Sequence, residues 1–415
     1  MNKEKYLEMT DAFLRQTGRD EIPDRITRDL RFCLDEQQKR LKEKGITLHD
    51  EFAFIDEAVT GAAEVSQKNN RTPFRGISAY RETVRIRDIY SAGKRIMHRR
   101  EPVTFYACIV DKQGGGDVPV NCPNCGHASM ASRLQEGCPY CGTHFAMSEL
   151  YPRISSCYCV NNIVERTGLD ERLKKVFLRI AAVFFVIFMI IVSVQNIRSG
   201  DYPIWAAELF AVLESCLLTA MMTFTAYMAY GFFLIGKVFH QFGSVLPMVT
   251  GLSSPGKLKT FMEKYDPQFF VRIFEGKMVS LLEAVLYSEN RENLSIYEGN
   301  DDFSSFEGLV DLDYRGVFRL RDCRVKGERI SVLLEVFTEN CYEKGIVKRR
   351  NERILVRMER RTDAVTDPGF SIHAVRCGGC GGSFDAMHVR NCPYCGREYH
   401  AAADDWVITE IRKKS

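Results

Sequence analysis

Two long apolar segments lie near the middle of the chain. Residues 176–197 carry one charge, Arg179, and residues 209–235 carry only Glu214. A helix rises about 1.5 Å per residue, so each segment is long enough to cross the hydrocarbon layer of a bilayer. The few polar residues between them, 198–203, make the two helices antiparallel neighbours. The pattern predicts a two-helix transmembrane hairpin within residues 161–250.

Basic residues predict which side of the membrane the ends of this hairpin face. The turn carries Arg198 offset by Asp201, whereas lysine and arginine flank both outer ends. Because cytoplasmic loops are enriched in these residues, both termini are expected in the cytoplasm and the protein is expected to be integral to the cell membrane. The flanking residues are Arg172, Lys174, Lys175 and Arg179 before the first segment, and Lys237, Lys257 and Lys259 after the second.

The second apolar segment carries a stripe of small polar residues at helical spacing, Ser215, Thr219 and Thr223. Such a stripe lets helices approach closely, which predicts packing inside the hairpin or in a homo-oligomer formed through this segment. Glu214 lies beside the stripe, and an ionisable group at membrane depth is a candidate for an ion or proton path. Two spans are too few for a transporter in a single chain, so helix packing is the favoured interpretation.

The sequence before the two apolar segments predicts helices followed by strands. Apolar residues three and four positions apart predict helices in residues 1–65. Residues 80–90, 103–110 and 151–160 are rich in β-branched and aromatic residues and are predicted strands. The pattern gives an N-terminal α+β region at 1–115 and a cysteine-containing module with its flanking strand at 116–160.

The region after the membrane reads as one helix followed by an antiparallel sheet. Asp266-Pro267 is expected to begin the helix, since an acid caps the free N–H groups and proline fits the first turn, and the apolar stripe runs to about Tyr287. Lys326-Gly327 is expected to form a turn between two strands. The predicted strands are residues 317–325, 330–338, 347–361 and 406–411.

Cysteine spacing is the strongest chemical signal in the chain. Eight of the fifteen cysteines form four pairs with two residues between the partners. Two such pairs build a tetrahedral cage of four sulfurs, and a cage filled by protein ligands is structural rather than catalytic. The spacing predicts two structural zinc ribbons in a reducing compartment; a redox dithiol and a rubredoxin-type iron site are the alternatives. The ligands are Cys122, Cys125, Cys138 and Cys141 in the first ribbon, and Cys377, Cys380, Cys392 and Cys395 in the second.

The two ribbons share a motif, since Cys-Pro-Tyr-Cys-Gly occurs at both Cys138 and Cys392, and a predicted strand follows each ribbon. The chain is therefore a candidate for two related modules on either side of the hairpin. The sequence leaves open whether the relation extends to the whole N-terminal region and the whole C-terminal domain.

The C-terminal region resembles a known family. The features are Tyr265-Asp-Pro-Gln-Phe-Phe270, the turn at Lys326-Gly327, the strand 353–361 and the final strand 406–411. They resemble the Tim-forty-four-like domain of the mitochondrial preprotein import tether and its bacterial relatives, which has the cone-shaped fold of nuclear transport factor two. The resemblance covers residues 257–413, with the second ribbon inserted at 375–400. It implies contact with a membrane and with partner proteins, without catalysis.

Charge and the resemblance together set the functional expectation. The net charge is +3, but residues 343–361 hold eight basic residues against three acidic ones, and residues 71–100 are also basic. These runs are solvated strand faces or contacts with anionic lipid headgroups, and nucleic-acid binding is the third alternative. We expect a membrane-anchored, non-enzymatic binding or scaffold module for a partner protein or the membrane surface. The alternative is a small-molecule or acyl-chain site in the cone, either a binding site or an enzymatic one, for which Glu335 is the candidate carboxylate.

Overall fold

The computed structural model divides the chain into two compact units. One unit combines residues 1–162 with residues 247–415, and the other holds residues 163–246. The first unit is a mixed α+β body built from both ends of the sequence, and the second interrupts it. The residues that the structure describes are 3–18, 22–23, 25–55, 59–64, 74–112, 119–121, 127–130, 133, 137–143, 151–161, 169–199, 203–241 and 253–414.

The N-terminal half begins with the helices α1 (Lys3–Thr17) and α2 (Arg28–Glu43). The Thr27 side chain caps α2 by accepting a hydrogen bond from the Leu30 N–H. The helical prediction for residues 1–65 holds this far and is wrong beyond it, because strands β1 (Ile46–Phe54) and β2 (Thr60–Glu64) follow. Polar residues such as Asp50 interrupt the alternating apolar pattern of β1, and the half-buried Asp50 carboxylate pairs with the buried Arg87 guanidinium.

Five antiparallel strands form the N-terminal sheet, in the order β1-β3-β4-β7 with β2 also paired to β3. The predicted strands at 80–90 and 103–110 are confirmed and are parts of longer strands, and the prediction at 151–160 overlaps β7. Short strands β5 and β6 pair within the first ribbon region. The bounds are β3 (Phe74–Ser91), β4 (Lys94–Lys112), β5 (Pro119–Asn121), β6 (Ala128–Met130) and β7 (Arg153–Asn161).

The C-terminal half has two helices and a four-stranded antiparallel sheet in the order β8-β9-β10-β13. Ile330, Val332, Leu334 and Val336 of β9 are fully buried, which confirms the predicted apolar face. Gly327 forms the predicted turn with a φ of +60° that favours glycine. The bounds are α5 (Ser254–Met262), α6 (Val271–Tyr287), β8 (Leu309–Lys326), β9 (Arg329–Glu343), β10 (Val347–Arg361), β11 (Val375–Arg376), β12 (Ser383–Phe384) and β13 (Val407–Lys413).

The long helix α6 begins at Val271, not at the predicted Asp266. The Asp266 carboxylate is buried, where it accepts hydrogen bonds from the Arg360 guanidinium at 2.9 Å and the Thr366 N–H at 3.0 Å. It also accepts from the Gln268 N–H, which closes a tight turn before the helix. An aspartate before a proline is typical of a helix cap. In this protein the Asp266 carboxylate instead pairs with the buried Arg360 guanidinium.

The two halves repeat one arrangement of elements. Each has two helices, then strands that form a sheet, then paired cysteines, and then a last strand that pairs with the strand preceding the cysteines. In the N-terminal half β7 pairs with β4 across the first ribbon region, and in the C-terminal half β13 pairs with β10 across the second ribbon. The two halves therefore share this order and pairing of elements, in addition to the cysteine motif that the two ribbons share.

Hydrogen bonds and apolar packing join the halves into one body. Tyr158 of β7 and Tyr314 of β8 both donate hydrogen bonds of 3.3 Å to the Glu275 carboxylate of α6. The Cys33 thiol of α2 donates to the Ser280 carbonyl of α6 at 3.3 Å. Side chains from both halves share a hydrophobic core, which includes Cys33 and Tyr158 with the buried face of α6. Neither half buries its helices and sheet completely without the other.

Buried ion pairs also cross between the halves. The Arg85 guanidinium of β3 contacts both carboxylate oxygens of Asp313 in β8, at 2.8 and 2.9 Å. Its neighbour Arg87 contacts both oxygens of Asp50 in β1, at 2.7 and 2.6 Å, and also pairs with Asp311. Two parallel N–H···O bonds are the strong arrangement for an arginine with a carboxylate. This network explains the polar residues in β1 and β3.

The second unit consists of α3 (Leu169–Ser199) and α4 (Ile204–Gln241). Residues 178–199 and 208–226 are long and apolar enough to cross a membrane, and few of their residues are buried within the protein. Along α4 the small residues Ala211, Ser215 and Thr219 are buried, whereas Glu214 is exposed. The buried side of α4 thus includes Ser215 and Thr219 of the predicted stripe, whereas its third member, Thr223, is half-buried, and α3 and α4 pack against each other.

Candidate metal centre

Four cysteines of the second ribbon bring their sulfurs together. The Sγ atoms of Cys377, Cys380, Cys392 and Cys395 all lie within 4.8 Å of one another. The Cys377–Cys395 distance is 3.6 Å and the Cys380–Cys392 distance is 3.7 Å. A tetrahedral zinc ion with bonds of about 2.3 Å would hold its sulfurs roughly 3.8 Å apart. The predicted cluster is confirmed as a group that can hold a metal ion.

Tight turns aim these sulfurs inward. In each cysteine pair the glycine after the second cysteine returns a hydrogen bond to the first: Gly381 N–H to the Cys377 carbonyl at 2.9 Å, and Gly396 N–H to the Cys392 carbonyl at 2.8 Å. Both glycines have positive φ, +75° and +72°, which side chains disfavour. The Cys-x-x-Cys-Gly spacing therefore encodes the turn as well as the ligands.

Backbone N–H groups favour the thiolate form of Cys377. The Gly379 N–H lies 3.3 Å from the Cys377 sulfur. Hydrogen bonds from the N–H groups of Cys380 and Gly379 lower the pKa of Cys377 to about 6. Because the thiolate is the form that binds metal, this geometry suits a metal ligand.

The second ribbon is packed into the body of the protein. Cys377 and Cys392 are buried members of the main hydrophobic core, whereas Cys380 and Cys395 are exposed. Arg390 of the ribbon donates a hydrogen bond of 3.1 Å to the Tyr297 carbonyl. Backbone hydrogen bonds also join Ser295 to Met387 and Ala386 to Ile372. A metal ion here would fasten the loop between β10 and β13 to the core.

The first ribbon is described only for its second cysteine pair, since Cys122 and Cys125 lie outside the described residues. Cys138 is buried and Cys141 is exposed, the same pattern as Cys392 and Cys395. The Gly142 N–H donates to the Cys138 carbonyl at 2.8 Å, with a φ of +69°. The repeated Cys-Pro-Tyr-Cys-Gly motif thus folds into the same turn in both ribbons.

Glu335, the predicted candidate for a pocket carboxylate, does not line either of the two main pockets among the described residues. It is fully buried on β9 and pairs with three cations, accepting from Lys414 at 3.0 Å and from Arg321 at 2.6 Å, with Arg353 at 3.6 Å. Burial alone would raise its pKa, but the hydrogen bonds from Lys414 and Arg321 lower the pKa below its usual value. Glu335 is therefore a neutralised structural anion.

Several basic residues from the two charged runs are also neutralised inside the protein. Arg85, Arg87 and Arg360 are buried in ion pairs, and Arg349 pairs with Glu339 at 2.5 Å. Arg357 pairs with Glu410 across strands β10 and β13 at 3.0 Å. The exposed cations that remain lie mainly near the turns between β3 and β4 and between β9 and β10.

Comparison with known proteins found no match for the chain. No model of a known protein family matches it, and neither a curated protein nor a solved structure does.

Proposed function

We propose that this protein is a membrane-anchored zinc-ribbon protein that acts as a non-enzymatic binding module on the cytosolic face of the cell membrane. The observation that supports it best is the position of the helical pair. Two helices apolar enough to cross a membrane are inserted between the two halves of one folded body. In this proposal the two helices anchor the protein in the membrane, and the body formed by the joined halves makes the binding contacts.

Chain connectivity supports placing both halves on one side. Because residues before α3 and after α4 belong to one body, both ends of the helical pair must start and finish on the same side of any membrane that they cross. Thiolate ligands require a reducing compartment, and basic residues flank the outer ends of the pair. Both arguments favour the cytosol.

Antibody access to a peptide tag tests this orientation. A tag in the turn at residues 199–202 should be accessible in intact spheroplasts, whereas a tag after Ser415 should be accessible only after permeabilisation. A C-terminal tag that is accessible in intact spheroplasts would contradict the cytosolic placement.

We assign zinc to both ribbons. The sulfur separations of the second ribbon suit tetrahedral zinc, and the described turn of the first ribbon has the same geometry as its counterpart. Four protein sulfurs leave no position for a substrate, so each ion would be structural. Elemental analysis of the full chain should give about two zinc ions per chain, and iron in place of zinc would overturn the assignment.

We propose an anionic lipid surface as one binding partner, through a turn surface formed by the β3–β4 and β9–β10 turns. Met97, near the first turn, and Val347, next to the second, pack against the same buried cluster, which holds Ile89 and Cys341. Exposed at their tips are Ile96 and Ile346. The exposed cations nearby are Lys94, Arg95, Arg100, Lys344, Lys348 and Arg350.

The chemistry of the turn surface fits lipid headgroups. Each cation near an anionic membrane contributes about 1 kcal/mol, and an exposed isoleucine can enter the interface. Hydrogen exchange on the full chain should show slower exchange at both turns in anionic nanodiscs than in zwitterionic ones. Lys344→Gln with Lys348→Gln should reduce that difference, whereas Lys326→Gln at the β8–β9 turn should not. Equal exchange in both lipids would exclude this contact.

A partner protein is the second candidate, favoured by two exposed tyrosines. Tyr140 and Tyr394 occupy the same position in the repeated motif, and they are 76% and 67% exposed. Exposed aromatic residues are enriched where proteins bind each other. Crosslinked pull-down from membranes should lose a specific partner in Tyr394→Ala or Tyr140→Ala while the metal content stays unchanged. Identical captured proteins would exclude the ribbons as the contact.

The predicted Tim-forty-four-like character of residues 257–413 remains part of this proposal. What supports it is the long helix α6 against a four-stranded antiparallel sheet that ends in β13. The ribbon inserted before β13 and the joined N-terminal half are departures from that family. A binding role at a membrane does not depend on the family assignment.

A further inference from the structure

A pocket of about 630 Å³ lies where the two halves meet. Its walls come from α1, α2 and the N-terminal sheet on one side, and from α6 and β8 on the other. Pockets for small organic ligands are typically about 300–1,000 Å³, so this volume suits such a ligand. Residues of both halves line this pocket, whereas the sequence offered as an alternative a site in the cone between α6 and its own sheet.

One wall of the pocket is apolar. Phe13 of α1, Leu34 of α2, Phe52 of β1, Phe105 of β4 and Leu312 of β8 all line it. A ligand that buries an apolar body against these side chains gains roughly 25 cal/mol per Å² of apolar surface removed from water.

The arginines of the pocket are already neutralised. Arg85 and Arg87 line it, but their guanidinium groups are held by Asp313, Asp50 and Asp311. Arg85 also donates to Glu101 at 2.5 Å. The third cation among the described lining residues is Lys42, which is exposed. An anionic ligand would therefore find no buried cation free to bind it.

One carboxyl group in the lining has no partner. Glu283 of α6 makes no hydrogen bond or ion pair with any residue that the structure describes. It lies one helical turn from Val279 and from Tyr287, which line the same pocket, so the three share a face of α6. In the sequence Glu283 is the single charged residue between Met278 and Leu286. This interruption of the apolar stripe is the sequence signal that distinguishes Glu283.

The surroundings of Glu283 disfavour its negative charge. Burial first, and then the carboxylates Asp311 and Asp313, raise the pKa of Glu283 well above its usual range. Burial and then the charge of Glu283 likewise raise the pKa of Cys33 and Cys157, which line the pocket too. A cation placed beside Glu283 would relieve this repulsion.

We propose that the pocket binds a small organic amine, with its apolar body against the phenylalanine and leucine wall and its ammonium group against Glu283. The amine supplies the one charge that the lining lacks. A matched alcohol leaves the carboxyl group without a counter-ion, and a matched carboxylic acid adds a further negative charge to it. This site is independent of the membrane, of the ribbons and of the proposed binding surfaces.

Three probes with the same carbon skeleton test the proposal on the full chain in detergent. The probes are phenylbutylamine, phenylbutanol and phenylbutanoate, and binding is measured by titration calorimetry. The amine is expected to bind at least about tenfold more tightly than the alcohol and the acid, since a charge pair of about 1.4 kcal/mol gives that factor. Alcohol or acid binding as tight as that of the amine would overturn the proposal.

Two variants separate specific binding from partition into the micelle. Glu283→Gln should lower the affinity for the amine to that for the alcohol and leave alcohol binding unchanged, because the apolar wall remains. Glu289→Gln, an exposed glutamate just beyond α6, should bind all three probes as the native chain does. Thermal unfolding of both variants checks that they are folded. A folded Glu283→Gln variant that keeps the native amine affinity would also overturn the proposal.

Discussion

Gly276 of α6 lies so close to Ser156 of β7 that a methyl group on its Cα would come 2.2 Å from the Ser156 Oγ. The same methyl group would lie 2.8 Å from the Cys108 Sγ of β4. Glycine at this position lets the main helix of the C-terminal half approach the sheet of the N-terminal half. The close approach of backbone and side chain is one reason the halves form a single body.

Gly276→Ala should therefore destabilise the protein. Inserting a methyl group into a packed interface costs about 1–3 kcal/mol. The measurement is thermal unfolding of the full chain in detergent. Gly256→Ala is the matched control, because Gly256 lies in α5 with no atom within 4 Å of the added methyl group. The control should be neutral or more stable by up to about 1 kcal/mol. Equal melting temperatures for the two variants would show that α6 can move away from β7 without cost.

Glu283→Gln should make the protein more stable in neutral and alkaline solution. The pKa of Glu283 is raised in the folded state, so the fold loses stability as the pH rises through that pKa and the group ionises. Glutamine removes this loss. The gain in melting temperature should be present at about pH 8 and absent near pH 4, where the carboxyl group is protonated in both states. A gain that is independent of pH would contradict the proposed cause.

Glu335→Gln should have the opposite effect. The pKa of Glu335 is lowered in the folded state by Lys414 and Arg321, so its contribution to stability is present above its ordinary pKa and is lost as the pH falls. The variant should melt below the native chain at about pH 7, and the difference should shrink below about pH 4. The two glutamates thus provide controls for each other in one series of melting curves.

Arg85→Met should destabilise the contact between the halves. It removes the guanidinium that Asp313 and Glu101 share and leaves Arg87 beside Asp313 and Arg99 beside Glu101. Removing one partner of a buried ion pair costs roughly 3–5 kcal/mol. Arg361→Met is the control, because its pair with Asp363 is largely exposed and is worth about 0–1 kcal/mol. The deficit of Arg85→Met should become smaller in acid, where carboxylates that have lost one of their two cations take up protons. Similar melting temperatures for both variants would contradict a structural role for the network.

Cys392→Ser should remove one zinc ion and lower the melting temperature, because Cys392 is both a ligand and a member of the core. Cys323→Ser removes a cysteine that lies outside both ribbons and should keep the native metal content. Zinc per chain and melting temperature are measured on the same samples. Unchanged zinc in Cys392→Ser would contradict the ligand assignment.

Local patterns allowed a part of this structure to be predicted. The spacing of Cys377, Cys380, Cys392 and Cys395 implied a four-sulfur group because two turns and a short loop are sufficient to form it. Alternating apolar residues from Ile330 to Val336 implied β9 in the same way. Both features depend on neighbours in sequence, so periodicity and spacing were enough.

Contacts between the halves could not be predicted from such patterns. Arg85 and Arg87 read as a solvated basic face, and Asp50 interrupts the apolar pattern of β1. The two arginines are buried because they pair with Asp313 and Asp311 of the other half. Both aspartates follow more than two hundred positions later in the chain. The pocket that contains Glu283 could not be predicted for the same reason, since its two walls come from opposite ends of the sequence.

The helical pair separates the two halves in the order of translation. Residues up to 162 are translated first, and the hydrophobic core that they share with α6 and β8 can form only after those elements have been translated. On the proposed membrane placement, a nascent chain that inserted only one of its two helices would leave α6 on the opposite side of the membrane from the first half, whose core it completes.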